Sequence, residues 1–186
     1  MLESLYQSFL LVVFSEMGDK TQLLALVLAV KFKKPWTIMA GILTATILNH
    51  ALAAWIGSWA STLFSSEILK WVLALLFFAF AIWILIPDKD EDIEEEPRFG
   101  AFWTTTIAFF LAEMGDKTQL ATAALGARFS TELIWVTVGT TLGMLVADGL
   151  AVFLGKRLTQ VFSMQWIRYF TAALFFLFGI LILWRM

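Results

Sequence analysis

Two copies of one short motif place carboxylates, a lysine, a hydroxyl and an amide inside apolar stretches of the chain. The motif reads Glu-Met-Gly-Asp-Lys-Thr-Gln and occupies residues 16–22 and 113–119. Its carboxylate and amide oxygens belong to Glu16, Asp19, Gln22, Glu113, Asp116 and Gln119. Such oxygen ligands suit magnesium, calcium or manganese, whereas zinc and copper favour the Cys and His that this chain almost lacks. The motif therefore predicts a site for a divalent cation.

The composition places this motif in a membrane protein. Of 186 residues, 60% are hydrophobic and 15% are charged, which is more apolar surface than a soluble domain of this size can bury. Six apolar runs reach the length of about 20 residues that a spanning helix needs. They cover 5–30, 36–57, 67–86, 99–127, 132–154 and 164–184. The runs lack the two-residue alternation of barrel strands, so we predict six helices and a lipid bilayer as their partner.

The two motifs fall near the middle of the first and fourth spans. A charge there costs roughly 2.5–3.5 kcal/mol, so these groups must be paired, hydrated or bound to an ion. Glu16 and Asp19 are three residues apart in a predicted helix, so they share one face, and Lys20 is four residues from Glu16 and can pair with it there. Crossing the two helices would gather four carboxylates and two lysines, a net charge of −2 that matches one divalent cation. The alternative is a set of ion pairs that only holds the helices together.

The chain consists of two copies of one repeat, joined by a loop that has no counterpart. The two motifs are offset by 97 residues, and later matches such as Gly41 with Gly139 and Lys70 with Arg168 are offset by 98. The repeats would be residues 1–87 and 99–186, separated by an acidic loop at 88–98. Because each repeat has three spans, the two must enter the membrane from opposite sides, which gives an inverted repeat like those of secondary transporters.

The basic residues predict the orientation. With both termini outside, eight Lys or Arg residues lie on the cytoplasmic side and three lie outside. The loop at 88–98 is then cytoplasmic, as a solvated linker or as a collector of cations.

Polar residues in the second and fifth spans are further candidates. Asp148 is a carboxylate within a span, where an unpaired charge is costly. His50 is either a proton carrier or a hydrogen-bonding residue in the helix packing. Asn49 lies beside it. We expect these residues to ligate the cation or to support its ligands.

The paired motifs resemble the signature of bacterial manganese exporters of the MneA type. Relatives of these exporters are the Golgi and chloroplast calcium/manganese transporters of the lysine-exporter superfamily. The resemblance covers six spans, both motifs and the central acidic loop. It implies that Glu16, Asp19, Glu113 and Asp116 are cation ligands, assisted by Asn49 and Asp148. It also implies export of manganese, coupled to protons.

The sequence-based prediction is therefore a secondary transporter that exports a divalent cation, most simply Mn²⁺, in exchange for protons. The alternatives are a Ca²⁺/H⁺ antiporter, an exporter of basic amino acids and a passive cation channel. A non-transporting scaffold is a further alternative. We expect no enzyme, because no nucleophile constellation is evident. We expect no cofactor and no nucleic-acid partner, and homo-oligomerisation is left open. The expected location is the bacterial inner membrane, with several passes.

Overall fold

The computed structural model describes residues 1–86, 99–154 and 164–185. The predicted acidic loop at 88–98 lies outside these residues. The described part is all-helical, with eight helices: α1 Leu2–Glu16, α2 Lys20–Phe32, α3 Pro35–Ser61, α4 Ser66–Trp83, α5 Ala101–Glu113, α6 Lys117–Arg128, α7 Leu133–Leu154 and α8 Met164–Arg185.

The two spans that carry the motifs are broken at the motif. The prediction of continuous helices over 5–30 and 99–127 is wrong in this respect, since α1 gives way to α2 and α5 to α6 between the Glu and the Lys of each motif. The physical cause is the motif glycine. Gly18 has φ 84° and Gly115 has φ 78°, a left-handed conformation that a helix interior does not contain.

Within the described ranges, four helical segments are long and apolar enough to cross a membrane. These are Pro35–Ser61, Ser66–Trp83, Leu133–Leu154 and Gln165–Trp184. Large apolar side chains point outward from them, including Trp36 at 77% exposure and Trp184 at 84%. In water such a surface would cause aggregation, whereas lipid covers it. The chain is therefore a multi-pass membrane protein.

Corresponding contacts recur in the two halves. A Cβ on Gly139 of α7 would lie 2.5 Å from the carbonyl oxygen of Leu5 and 3.0 Å from Cβ of Ser8 in α1. A Cβ on Gly41 of α3 would meet Phe102 and Thr105 of α5. These two residues are the repeat equivalents of Leu5 and Ser8, 97 positions later in the chain. The helix pairs α1–α7 and α3–α5 therefore pack through equivalent residues, with a glycine at each contact.

Close backbone packing also joins α3 to α6. A Cβ added to Gly57 would collide with the backbone of Ala123, and one added to Gly126 would collide with the backbone of Ala54. Small residues allow this approach, which brings the helix after the second break against the C-terminal part of α3.

We predict that Gly126→Ala destabilises the protein by about 1–3 kcal/mol, because overpacking here must move a helix backbone. Gly149→Ala is the matched control, since its Cβ would lie 3.4 Å from the flexible end of Met39. That variant should be neutral or stabilising, as Ala is the better helix former. Thermal unfolding in detergent measures both changes, and equal midpoints for the two variants would contradict the packing described.

Polar contacts close the end of the bundle where α1 begins. Ser4 Oγ donates to Glu132 Oε2 at 2.5 Å, and Arg128 Nη2 lies 3.9 Å from Glu3 Oε1. Hydrogen bonds from the Met1 amino group and from Ser4 hold the pKa of Glu132 below its usual value. These contacts tie the start of α1 to the α6–α7 turn.

An aromatic layer joins α4 to α8. The ring centroids of Phe77 and Phe175 are 6.0 Å apart, and those of Phe78 and Phe176 are 5.0 Å apart. Phe77 and Phe175 are also buried in the larger apolar core cluster. The last helix of each half therefore packs on its counterpart, while the broken helices pack on α3 and α7.

Candidate cation site

Each helix break is stabilised by hydrogen bonds within its own motif. The Asp19 N–H donates to the Glu16 carbonyl at 3.1 Å, and the Gly18 N–H donates to Gln22 Oε1 at 2.9 Å. In the second motif Asp116 N–H donates to the Glu113 carbonyl at 3.2 Å, and Gly115 N–H to Gln119 Oε1 at 2.7 Å. The motif Gln thus satisfies a backbone donor that the break would leave without a helical partner.

The glycine of the second break provides a direct test of this geometry. A Cβ on Gly115 would meet nothing within 4 Å, so Gly115→Ala tests only the cost of φ +78°. We expect a loss of about 1–2 kcal/mol in the free energy of unfolding. Gly100→Ala is the control, because Gly100 also has open space but an ordinary φ of −63°. Because alanine fits this φ, the control should be neutral or stabilising by up to about 1 kcal/mol, and a loss equal to that of Gly115→Ala would contradict the conformational argument.

Three carboxylates from the two motifs meet where the breaks face each other. One ligand oxygen from each of Glu16, Asp19 and Asp116 lies within 4.8 Å of the other two. Their exposed fractions are 0%, 5% and 7%. Three negative groups this close repel one another strongly unless cations or protons neutralise them.

The motif lysines pair across the two halves. Lys117 Nζ lies 3.3 Å from Asp19 Oδ1, and Lys20 Nζ lies 3.8 Å from Asp116 Oδ1. The predicted pairing of Lys20 with Glu16 on one helix face is therefore wrong, because the break separates them. Each lysine instead begins a new helix and reaches the Asp of the other motif.

Hydroxyl groups distinguish Glu16 from its repeat partner. Thr21 Oγ1 donates to Glu16 Oε2 at 2.6 Å, and Thr118 Oγ1 donates to Glu16 Oε1. Glu113 is also fully buried, yet neither of its oxygens has a hydrogen-bond partner among the described residues. The two motifs are therefore equivalent in sequence but not in their contacts.

Glu113 and Asp148 are the two buried carboxylates that lie beside the three-carboxylate cluster. Both have 0% exposure, and none of their four oxygens has a hydrogen-bond partner within the described ranges. Glu113 is within Coulombic range of Glu16, Asp19, Asp116 and Asp148. A buried charge without hydrogen bonds is costly, so a proton or a cation must neutralise these groups.

The predicted amide ligands have contacts of their own. Asn49 Nδ2 donates to the Phe110 carbonyl at 3.0 Å, near the end of α5. Gln22 Nε2 donates to the Ala147 carbonyl at 2.8 Å. Ala147 is the repeat equivalent of Asn49, so each of these two amide–carbonyl contacts joins a broken helix of one half to a long helix of the other half. The ligand roles of Asn49, Gln22 and Gln119 remain predictions.

His50 is fully buried, and neither ring nitrogen has a hydrogen-bond partner among the described residues. The interpretation of His50 as a residue that hydrogen-bonds within the helix packing therefore has no support among the described residues. Its role as a proton carrier remains a prediction.

Sequence reasoning missed the cross-pairing and the role of Thr118. The motif contains a signal for the break alone, because a Gly after Glu-Met allows a left-handed turn that ends one helix and starts another. At such a break, carbonyl ends of two helices and N-termini of two others point into the bundle. Discontinuous helices place carbonyls and carboxylates around cations in many transporters.

The fold and this site define a class of protein. A membrane protein with two broken helices and a buried cluster of carboxylates from both halves has the features of a cation transporter. Comparison with known sequences identifies the family. Residues 4–92 and 101–186 match the family model described as "Divalent cation/proton antiporter GDT1", and the chain belongs to this family.

Individual relatives agree with this assignment. The chain is 50% identical to a Vibrio cholerae protein named "Putative manganese exporter", over 91% of this chain and 84% of that protein. It is 29% identical to GDT1-like protein 5 of Arabidopsis thaliana, over 97% and 95% of the two chains. A GDT1-like protein of Synechocystis is 26% identical over 99% and 98%. No solved structure matches the chain.

Proposed function

We propose that this protein exports Mn²⁺ from the cytoplasm in exchange for protons, through a single site centred on Glu16, Asp19 and Asp116. The observation that carries the proposal is the meeting of these three buried carboxylates within 4.8 Å, from both halves of the chain. Oxygen-rich sites of this charge suit hard divalent cations. The proton exchange in this proposal rests on the family description, and the choice of manganese rests on the name of the Vibrio cholerae relative.

The cation and the protons would compete for the same oxygens. A divalent ion bound between the carboxylates displaces protons from them, and protons arriving from the other side release the ion. Moving a 2+ ion outward against 100 mV costs about 4.6 kcal/mol, at ~2.3 kcal/mol per charge. Two protons entering would cancel this electrical cost and leave the pH gradient as the driving force. We add Glu113 and Asp148 to the proposed ligand set, because both are buried carboxylates without a hydrogen-bond partner among the described residues.

The proposed membrane arrangement counts each broken pair as one span. With α1–α2 and α5–α6 crossing once each, the chain has six spans, and residues 1–87 and 99–186 form two inverted repeats with both termini outside. The equivalent glycine contacts and matching breaks of the two halves support this arrangement. The inner membrane of a bacterium is the proposed location.

Transport into proteoliposomes tests the proposal. Manganese uptake should follow an imposed pH gradient, collapse with a protonophore and saturate with concentration. Asp19→Asn and Asp116→Asn should each abolish it, because each removes one ligand charge from the cluster. Calcium, magnesium and lysine serve as competitors. Uptake that ignores the pH gradient would indicate a channel, and competition by lysine would indicate a basic amino-acid exporter.

A further inference from the structure

The carboxylate of Glu16 is held at both of its oxygens by threonine hydroxyls. Thr21 Oγ1 donates to Oε2 at 2.6 Å, and Thr118 Oγ1 donates to Oε1. All three residues are at most 1% exposed. An ionised carboxylate can only accept hydrogen bonds, so each hydroxyl gives its single proton to Glu16. We call this pair of threonines the hydroxyl clamp.

The hydroxyl clamp joins three helices. Glu16 is the last residue of α1, whereas Thr21 and Thr118 are the second residues of α2 and α6. One donor therefore comes from across the first helix break, and the other comes from the second half of the chain. Threonine side chains have few χ1 rotamers in a helix. The backbones of α2 and α6 thus fix the positions of both donors, and with them the plane of the carboxylate.

The other two members of the three-carboxylate cluster are held in a different way. Asp19 and Asp116 each have a lysine Nζ near Oδ1, at 3.3 Å and 3.8 Å. An ammonium group on a flexible stem follows its partner when that partner moves, whereas a short hydroxyl side chain on a helix does not. Glu16 is therefore the carboxylate of the cluster whose direction is most closely fixed.

A fixed carboxylate matters for the choice of ion. Calcium accepts about 6–8 oxygens in variable geometry, often with a carboxylate bound through both oxygens. Manganese suits a smaller octahedral set of oxygens. A carboxylate held at both oxygens cannot turn to present both to an ion, so it offers one oxygen in one direction. Because selectivity among these ions depends on the number and flexibility of the ligands, such a site suits the smaller ion.

We propose that Thr21 and Thr118 determine the specificity of the cation site, by holding Glu16 in an orientation that suits Mn²⁺ and disfavours Ca²⁺. This inference rests on the proposed function in one respect, since it takes Glu16 as a ligand of the cation. Both threonines are positioning residues that act through Glu16. Removal of either hydroxyl frees the carboxylate to turn, which weakens Mn²⁺ binding and allows Ca²⁺ to bind through both oxygens.

Calorimetric titration of the purified protein with Mn²⁺ and with Ca²⁺ tests the clamp. Thr118→Val and Thr21→Val each remove one hydroxyl and keep the shape of the side chain. The ratio of the Ca²⁺ Kd to the Mn²⁺ Kd should fall roughly tenfold or more in each variant, because the partners of metal ligands contribute about 10–100-fold to affinity. Thr118→Ser retains a hydroxyl and should keep the wild-type ratio.

Thr122→Val is the matched control on the same helix. Thr122 lies one turn after Thr118, is fully buried, and its hydroxyl has no hydrogen-bond partner among the described residues. Its replacement removes a buried hydroxyl without touching the clamp, so the ratio should not change. Thermal unfolding checks the fold of each variant, and Thr21→Val carries the test if Thr118→Val does not fold. A wild-type ratio in both clamp variants, or an equal fall in Thr122→Val, would overturn the inference.

The test separates the clamp from the proposed function, because it measures binding and not transport. If Glu16→Gln loses Mn²⁺ binding while Thr118→Val and Thr21→Val keep the wild-type ratio, the clamp is rejected and the proposed site stands. If the ratio falls as expected in a protein that moves no manganese, the clamp stands and export is rejected.

Discussion

Replacing Glu16 with glutamine should weaken manganese binding by at least about 100-fold and abolish transport, since even the partners of metal ligands contribute about 10–100-fold. Glu16 has 0% exposure and lies in the three-carboxylate cluster. The substitution removes one charge and turns an amide N–H₂ toward the cation or toward the hydroxyl donors Thr21 and Thr118. Calorimetric titration of the purified protein with Mn²⁺ measures the loss.

Two other glutamates provide the comparison. Glu67→Gln, at an exposed position in the first turn of α4, should bind manganese as the wild type does. Glu113→Gln should lose less affinity than Glu16→Gln, because Glu113 lies outside the three-carboxylate cluster. If Glu16→Gln bound Mn²⁺ with an affinity within threefold of the wild type, the three-carboxylate cluster would not be the binding site.

The second large effect concerns the buried ion pair between the halves. Lys117→Gln should destabilise the protein by about 3–5 kcal/mol, because it takes the cationic partner from a buried carboxylate. The distance from Lys117 Nζ to Asp19 Oδ1 is 3.3 Å, and the two side chains are 6% and 5% exposed. Lys20→Gln is the matched control in the other motif. Its side chain is 29% exposed and its pair is 3.8 Å long, so the loss should be about 1 kcal/mol or less.

A double variant separates pairing from general damage. Lys117→Gln combined with Asp19→Asn should recover much of the stability, because no charge is then left without its partner. Denaturant unfolding in micelles measures the free energy of unfolding of the two single variants, Lys117→Gln and Asp19→Asn, and of the double variant. Additive losses, or equal losses in Lys117→Gln and Lys20→Gln, would contradict the pairing across the halves.

Much of the fold followed from apolar length, and four long apolar helices are confirmed in the described part of the chain. The breaks were missed because hydropathy averages over a window in which one glycine and its neighbours hardly register. Yet Gly18 and Gly115 decide the site, since the break moves Asp19 off the face of Glu16. The length of an apolar run indicates that a segment can cross the membrane. Whether the helix is continuous within that segment depends on the φ angle of single residues.

The site itself was predicted in its residue types but not in its pairing. Carboxylates in a span must be neutralised, so their convergence was expected. Which lysine meets which aspartate depends on the position of each N-terminal helix turn, which the sequence does not specify. Glu16 accepts a hydrogen bond from Thr118, whereas Glu113 has no such partner among the described residues. This difference between the two repeats cannot be predicted from their equivalent sequences.

The most direct test of the cation site is an anomalous diffraction map from crystals of the protein grown with manganese. We expect one strong peak at the manganese edge, in contact with oxygens of Glu16, Asp19 and Asp116, at the point where the two helix breaks face each other. Transport-competent protein whose only bound manganese lies away from these three side chains would contradict the account.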